Sequence, residues 1–362
     1  MNEFVLTYCS NVHPSKDRNE LSASLERWVA PVARAAGGPD PFPVGLWVSA
    51  RAARDLAAPG AARDLAGRLT DLGLRLATVN AFPFGDFHAP TVKREVYRPD
   101  WTDPGRLAYT EAVARIAARI AGTGAGEVAI STLPGSFKPW GDGEAVRDRI
   151  AGQMALAALA LERIGEETGR RLLLCLEPEP FCTVETTEET IRFFRDHLWR
   201  AGVAALAAAG LARGAAEALV RARIGVCFDA CHLAVQFEDL AVSWRALETA
   251  GIRIGKVQLS CAIRSDRKEP LRSFDEPRYL HQTVARAAGG RLTRWEDLGD
   301  YLRDPAGGGE ARSHFHVPLF WEGAGDLGST QSDLAGFLRF LSGVRAAGGS
   351  LPVLEIETYT WG

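Results

Sequence analysis

Three carboxylates in this chain stand where apolar runs end. Glu177 closes RLLLCLE, Asp229 closes IGVCFD and Glu357 closes VLEIE. A charge at the end of a buried strand must be solvated, paired or bound to a cation, because burying it alone is costly. His232 follows Asp229 by three residues in DACH, so a turn after the run brings both to one pocket. Gln258, in KVQLS, adds an amide at the end of another apolar run, with a hydrogen-bonding place in the core as its alternative. Carboxylates gathered closely repel one another and need a divalent cation or shared protons. Two Glu, one Asp and an amide carbonyl form an all-oxygen set, which suits Mg2+ or Mn2+ ahead of Zn2+ or Co2+. The expected ligands of one divalent ion are Glu177, Asp229, Gln258 and Glu357, with His232 just outside them. Glu355 shares a strand face with Glu357. It is expected deeper, paired to a basic group, with the opposite assignment of the two as the alternative.

Other polar residues fall near the ends of apolar runs or in the segments between them. His13 in SNVHP and His88 in GDFHAP read as substrate contacts or as loop structure. Lys138 and Arg264 read as holders of an anionic substrate group or as solvated cations. Glu179, in LEPEP, reads as a cap or loop ion pair more than as a ligand. His281, His314 and His316 occur in a long insertion; a His-x-His pair can bind metal, but no partner is evident, which favours packing or a substrate lid. His316 is carried as a substrate contact. Trp47, Phe82, Phe84, Phe87, Trp101, Phe137 and Trp140 crowd the same side, as suits sugar-like rings and equally ordinary core.

The elements that must position these residues are short and regular. Apolar runs at 4–9, 44–48, 74–80, 127–131, 171–177, 224–229, 254–259 and 353–357 alternate with helical spacing at 21–36, 61–72, 104–121, 144–168, 187–221, 240–250 and 333–346. Alternation of this kind is the mark of repeated βαβ units. Eight runs predict a closed (β/α)8 barrel, in which active sites form at the C-terminal ends of the strands. No Gly-x-Gly-x-x-Gly follows the first run, which argues against a dinucleotide-binding sheet. The segment 260–330 is a long insertion between the seventh and eighth strands, with one helical piece near 295–303. No helix follows the eighth strand in the five residues after it, so seven outer helices are expected in one domain spanning 1–362.

The 362 residues are 46% hydrophobic and 24% charged with a formal net charge of −3, a balance expected of a soluble globular protein. That charge provides no electrostatic footprint for nucleic acid or an anionic membrane. The first residues lack the basic and apolar segments of a signal peptide, and no apolar run is long enough to span a bilayer. Six cysteines, several in or beside buried runs and none in Cys-x-x-Cys, point to a reduced, cytoplasmic protein.

Taken together, the strand-end residues resemble those of the xylose isomerase-like (β/α)8 barrels, the sugar phosphate isomerase/epimerase group. The resemblance implies that Glu177 in LEPEP, Asp229 in FDACH, Gln258 in KVQLS and Glu357 in LEIETYTW hold one divalent metal. Gln258 stands where the group commonly has His. Within that group the chain resembles the EboE metabolite-traffic branch, through LTYCSNVHP, TVNAFPFGDFH, VKREVYRPDW, STLPGSFK, CFDACHLAVQFE, FDEPRYLHQ and FHVPLF, across residues 6–361. It implies an isomerase or epimerase acting on a polyhydroxylated, sugar- or cyclitol-like carbonyl compound through a metal-stabilised enediolate. Glu177 and Glu357 would move the proton, and His232 and Lys138 would orient hydroxyls or the oxyanion. A non-catalytic metabolite carrier on the same barrel is the alternative. A nuclease of this barrel type would need more His ligands and a basic face. A homodimer is compatible with the missing closing helix.

Overall fold

In the computed structural model of the chain, residues 4–122 and 126–359 are described; Thr360 and Trp361, the end of LEIETYTW, lie outside them. Eight parallel strands close into a barrel. They are β1 (Leu6–Cys9), β2 (Phe42–Trp47), β3 (Leu74–Asn80), β4 (Val128–Thr132), β5 (Leu172–Leu176), β6 (Ile224–Asp229) and β7 (Ile254–Leu259), with the eighth reached only at Val353–Ile356. Strands β4, β5 and β6 are buried along their whole length, which is why their sequences run apolar without alternation.

Outer helices follow the expected periodicity. Pro104–Ile120 starts at Asp103, whose carboxylate accepts from Gly105 N at 2.7 Å, with Pro at the first turn where no amide is needed. Glu144–Thr168 ends at Gly169, whose φ of 70° closes the helix as glycine readily does. The helical stretch expected over 187–221 is broken: Thr187–Phe193 passes into a π-helical segment Phe194–Gly202, and a turn after Val203–Ala208 precedes Arg213–Arg223. No helix among the described residues is long and apolar enough to cross a membrane. All six cysteines are unpaired and buried.

The insertion is the main difference from the sequence reading. It folds into strands β8 (Cys261–Ser265), β9 (Thr283–Arg286), β10 (Leu292–Trp295), β11 (Glu310–Val317), β12 (Gly323–Ala324) and β13 (Leu327–Ser329), besides the helix Leu298–Arg303. They form a six-stranded sheet in the order β10-β9-β11-β8-β13-β12. Five of these strands have five residues or fewer, too short to carry a clear period, while β11 (EARSHFHV) does alternate polar groups with Ala, Ser, Phe and Val. Its histidines are buried all the same, because this sheet packs its polar face toward the barrel mouth. The chain then returns through Gln331–Ala346 to the eighth barrel strand, β14 (Val353–Ile356).

Below the mouth, Lys256 of β7 and Glu355 of β14 are both fully buried, with Nζ 2.6 Å from Oε2. Burial alone would lower the Lys256 pKa, but Glu355 and the neighbouring acidic groups hold it above its ordinary value. Gly45 of β2 makes room for the pair: a Cβ there would sit 1.4 Å from Glu355 Oε1.

Candidate metal centre

Strand ends deliver the three carboxylates to one point. Glu177 lies one residue past β5, its amide donating to Thr132 O at 3.0 Å, and Glu357 lies one residue past β14, its amide donating to Leu259 O at 3.1 Å. Asp229 is the last residue of β6 and its Cα pairs with Gln258 on β7. One carboxylate oxygen from each of Glu177, Asp229 and Glu357 lies within 4.8 Å of the other two. All three side chains are buried.

Asp229 and Glu357 each have one oxygen satisfied by the protein. Asp229 Oδ1 accepts from His232 N at 2.9 Å and from Ser260 Oγ at 2.8 Å, while Oδ2 has no hydrogen-bond donor. Glu357 Oε1 accepts from Asn11 Nδ2 at 2.5 Å and more distantly from Asn80 Nδ2 at 3.5 Å. Glu177 Oε2 and both amide atoms of Gln258 are buried without partners. Buried polar atoms are nearly always paired in proteins. Orphaned oxygens of Glu177, Asp229 and Gln258 are therefore what a hard divalent cation needs. Burial first, then Asp229, pushes the Glu177 pKa up to about 8. Burial likewise raises Asp229, and burial with Glu177 as neighbour raises Glu357 well above the carboxylate range.

A second donor set stands beside the first, and its histidines come from two places in the chain. His232 Nδ1 donates to Pro178 O at 2.9 Å and His314 Nδ1 to Gln282 Oε1 at 2.7 Å. His316 Nδ1 faces Glu357 O at 3.4 Å and Glu357 Oε2 at 3.6 Å. With the protons placed on Nδ1, the three Nε2 atoms present lone pairs to one another. Yet His232 Nε2 and His316 Nε2 lie only 3.1 and 2.9 Å from His314 Nε2. Burial pushes the pKa of His232 down to about 3 and that of His316 to about 4, so a shared proton is disfavoured near neutrality. Tyr359 OH reaches His314 Nε2 at 3.4 Å and can satisfy one lone pair. A cation of the softer kind, Zn2+ or Co2+, suits such an imidazole set. Asp229 touches both sets, since it also groups with His232 and His316.

Supporting residues fix these histidines. Gln282 Nε2 donates to Tyr97 OH, Glu179 Oε1 and Pro180 O at 2.6, 2.8 and 3.1 Å, which orients its amide oxygen toward His314. Glu179 therefore belongs to a buried network under the imidazole set, and burial raises its pKa to about 7. His281 is locked by Glu276 Oε1 and His314 O and stacks on Phe315 at 3.6 Å.

The other expected contacts lie elsewhere. His232 and His316 line the pocket above the carboxylates, together with Glu177 and Glu357. His13 bonds Tyr8 OH at 2.8 Å and stacks on Trp28, and His88 Nε2 bonds Asn11 O at 2.8 Å; neither lines the pocket. Lys138 is held by Glu185 and Glu189 at 2.9 and 2.7 Å. Arg264 lies on β8 in a surface groove with Arg267 and Asp326. His314 is the residue whose place the sequence left undecided: the spacing His-x-His was visible, but its partner His232 lies 82 residues earlier.

The raised carboxyls and lowered imidazoles predict a pH signature of the metal-free protein. A carboxyl whose folded pKa is raised favours folding below its unfolded value and loses that contribution as pH rises toward the folded one. The histidines behave oppositely, and their contribution is complete above about 6.5. Between about pH 6.5 and 8 the carboxyl contribution therefore stands alone. Thermal unfolding in the presence of a chelator should show Tm falling by several degrees across that window. Added Mn2+ should remove the fall, and a flat chelated profile would contradict the coupling.

No family model matches the chain, and no curated protein matches it. Solved structures resemble it at low identity. The probable 3-DHS dehydratase of petrobactin synthesis from Bacillus anthracis is 13% identical, with 98% of this chain and 92% of that one covered and a TM-score of 0.49. The 3-keto-D-glucoside 4-epimerase from E. coli is 12% identical, with 99% and 94% covered and a TM-score of 0.47. The IOLI protein with a bound zinc atom is 14% identical, with 98% and 89% covered and a TM-score of 0.46.

Proposed function

We propose that this chain is a divalent-metal-dependent isomerase or epimerase acting on a polyhydroxylated carbonyl compound, a sugar or cyclitol. The observation that carries the reading is the convergence of Glu177, Asp229 and Glu357 at the mouth of the barrel, with orphaned oxygens on Glu177, Asp229 and the adjacent Gln258. Glu177, Asp229, Gln258 and Glu357 would hold a hard cation, and His232, His314 and His316 a second, softer one. When bound, the cation supplies Lewis-acid polarisation of the substrate's carbonyl and neighbouring hydroxyl.

The chain's own residues then account for the proton. Glu177 takes a proton from the carbon beside the carbonyl, and Glu357 returns one to the neighbouring carbon or to the opposite face. Asn11 and Asn80 fix Glu357 through its Oε1, which leaves Oε2 for the substrate carbon. Cover from β11 and from Tyr279, Leu280 and His281 limits water at the site, which protects an enediolate between the two transfers. His232 and His316 line the pocket where substrate hydroxyls would lie. Motifs shared with the EboE metabolite-traffic branch direct this chemistry toward a secondary metabolite.

Solvent deuterium exchange tests the reaction class. Metal-loaded protein incubated in D2O with keto-sugars and keto-cyclitols should place deuterium at a carbon next to the carbonyl, read by NMR. No exchange with any of them under either Mn2+ or Zn2+ loading would count against enolisation. A carrier on the same barrel is the rival reading. It requires that Glu177→Gln leave ligand affinity intact. Three convergent histidines also suit a multi-metal phosphodiesterase, but the one ammonium among the described residues lining the pocket, Lys93, is held by Asp297 and Glu276 and is not free to grip a phosphodiester chain.

A further inference from the structure

The pocket over the carboxylates has two unlike sides. Its floor is polar, with Asn11, Asn80, Glu177 and Glu357. Its wall is apolar and aromatic, formed by Phe82, Phe87, Val92, Tyr97, Tyr279 and Tyr359. Phe87 packs on Tyr279 and Tyr359 with ring centroids 4.9 and 5.4 Å away, so these three rings form one continuous surface. Tyr97 is stacked on Phe137 at 4.9 Å and meets Phe82 edge-on. Counted out to open solvent, the space over the floor is about 590 Å3.

Cationic groups are arranged away from this space. Among the described residues that line it, Lys93 is the one ammonium. Its Nζ is already held by Asp297 Oδ2 at 2.6 Å and by Glu276 O at 3.0 Å. Lys138 and Arg264, the two cations expected to hold an anionic group, lie outside it. The short helix Ala230–Val235 at the end of β6 offers no anion site either, because Asp229 caps it through His232 N. A phosphate on the aromatic side, away from any cation held by the carboxylates or the histidines, would be desolvated without a counter-charge, which is unfavourable.

We infer that the substrate is an uncharged amphipathic molecule, a polyhydroxylated carbonyl head carrying an apolar or aromatic arm, and that it is not a sugar phosphate. The inference rests on the metal-enolisation reading above for the head. The arm is its own content: it lies along Phe87, Tyr279 and Tyr359, where burial of an aromatic ring replaces the phosphate grip.

Three hydroxamates with one metal-binding head test it by calorimetry on Mn2+-loaded protein. They are glycolohydroxamate, its phosphate ester and its O-benzyl ether. The benzyl ether should bind at least tenfold more tightly than the parent, and the phosphate ester no more tightly than the parent. Phe87→Ser should bring the benzyl ether to within about threefold of glycolohydroxamate, and Tyr279→Ser serves if the first variant does not fold. A phosphate ester that binds best, or a benzyl ether that gains nothing, overturns the arm while leaving the cation reading standing. Loss of metal-dependent binding by all three sinks the cation reading and this inference together.

Discussion

Glu177→Gln should cost the protein its hard cation and at least about 10³ of any isotope exchange at the substrate carbon. The substitution keeps the shape of the side chain and removes only its charge and basicity. It converts the set of three carboxylates into two and removes the base that stands directly past β5. Metal content by mass spectrometry of the intact metal-loaded protein should fall in Glu177→Gln and in Asp229→Asn. The same change has an opposite effect on the empty protein. Glu177 is pushed up to about 8 by burial and by Asp229, so at pH 8 its partial ionisation costs folding energy in the chelated wild type. Chelated Glu177→Gln should therefore melt above chelated wild type at pH 8, whereas metal-loaded wild type should melt above the metal-loaded variant. That crossing separates loss of a ligand from general damage to the barrel, which would lower both curves.

The second large effect is expected deeper in the barrel. Lys256→Met leaves Glu355 buried without its counter-ion and should destabilise the protein by about 3–5 kcal/mol. Adding Glu355→Leu removes the stranded charge at similar volume, and the double variant should recover most of that loss. Urea unfolding of the four proteins forms a double-mutant cycle whose coupling term is read directly. If the double variant were as unstable as Lys256→Met alone, packing around Gly45 rather than charge pairing would govern this layer.

Much of this molecule was legible because barrel strands announce themselves. LLLCL and IGVCFD are continuous apolar runs since both faces of a parallel strand are covered, and a carboxylate following such a run has few reasons to be there. Strands β6 and β7 and the helix Glu144–Thr168 fall at the expected bounds. Glu355 and Glu357 share a face, and the one farther from the mouth meets Lys256. The cover sheet was hidden for the complementary reason. Most of its strands are two to five residues long, and β11 turns His314 and His316 inward where such polar residues read as exposed, so its alternation points to the wrong buried face. Lys138 and Arg264 misled through proximity in sequence to strand ends: side-chain direction, set by Glu189 and by the register of β8, is not written in spacing. His314 became meaningful only when pairing of β11 with β8 and β9 brought it to His232.

That His314 and His316 hang from β11 while His232 belongs to the β6 end has a kinetic consequence. An ion held by all three would rivet the cover to the barrel, so neither could separate without first giving up a ligand. The off-rate of the ion would then equal the frequency with which the cover opens. Amide hydrogen exchange along β9 and β11 should slow on Zn2+ loading by the same factor that lengthens the ion's residence time. Strands of the barrel itself, such as β4 and β5, should change little. The inserted sheet would in this way set the clock of the site it covers.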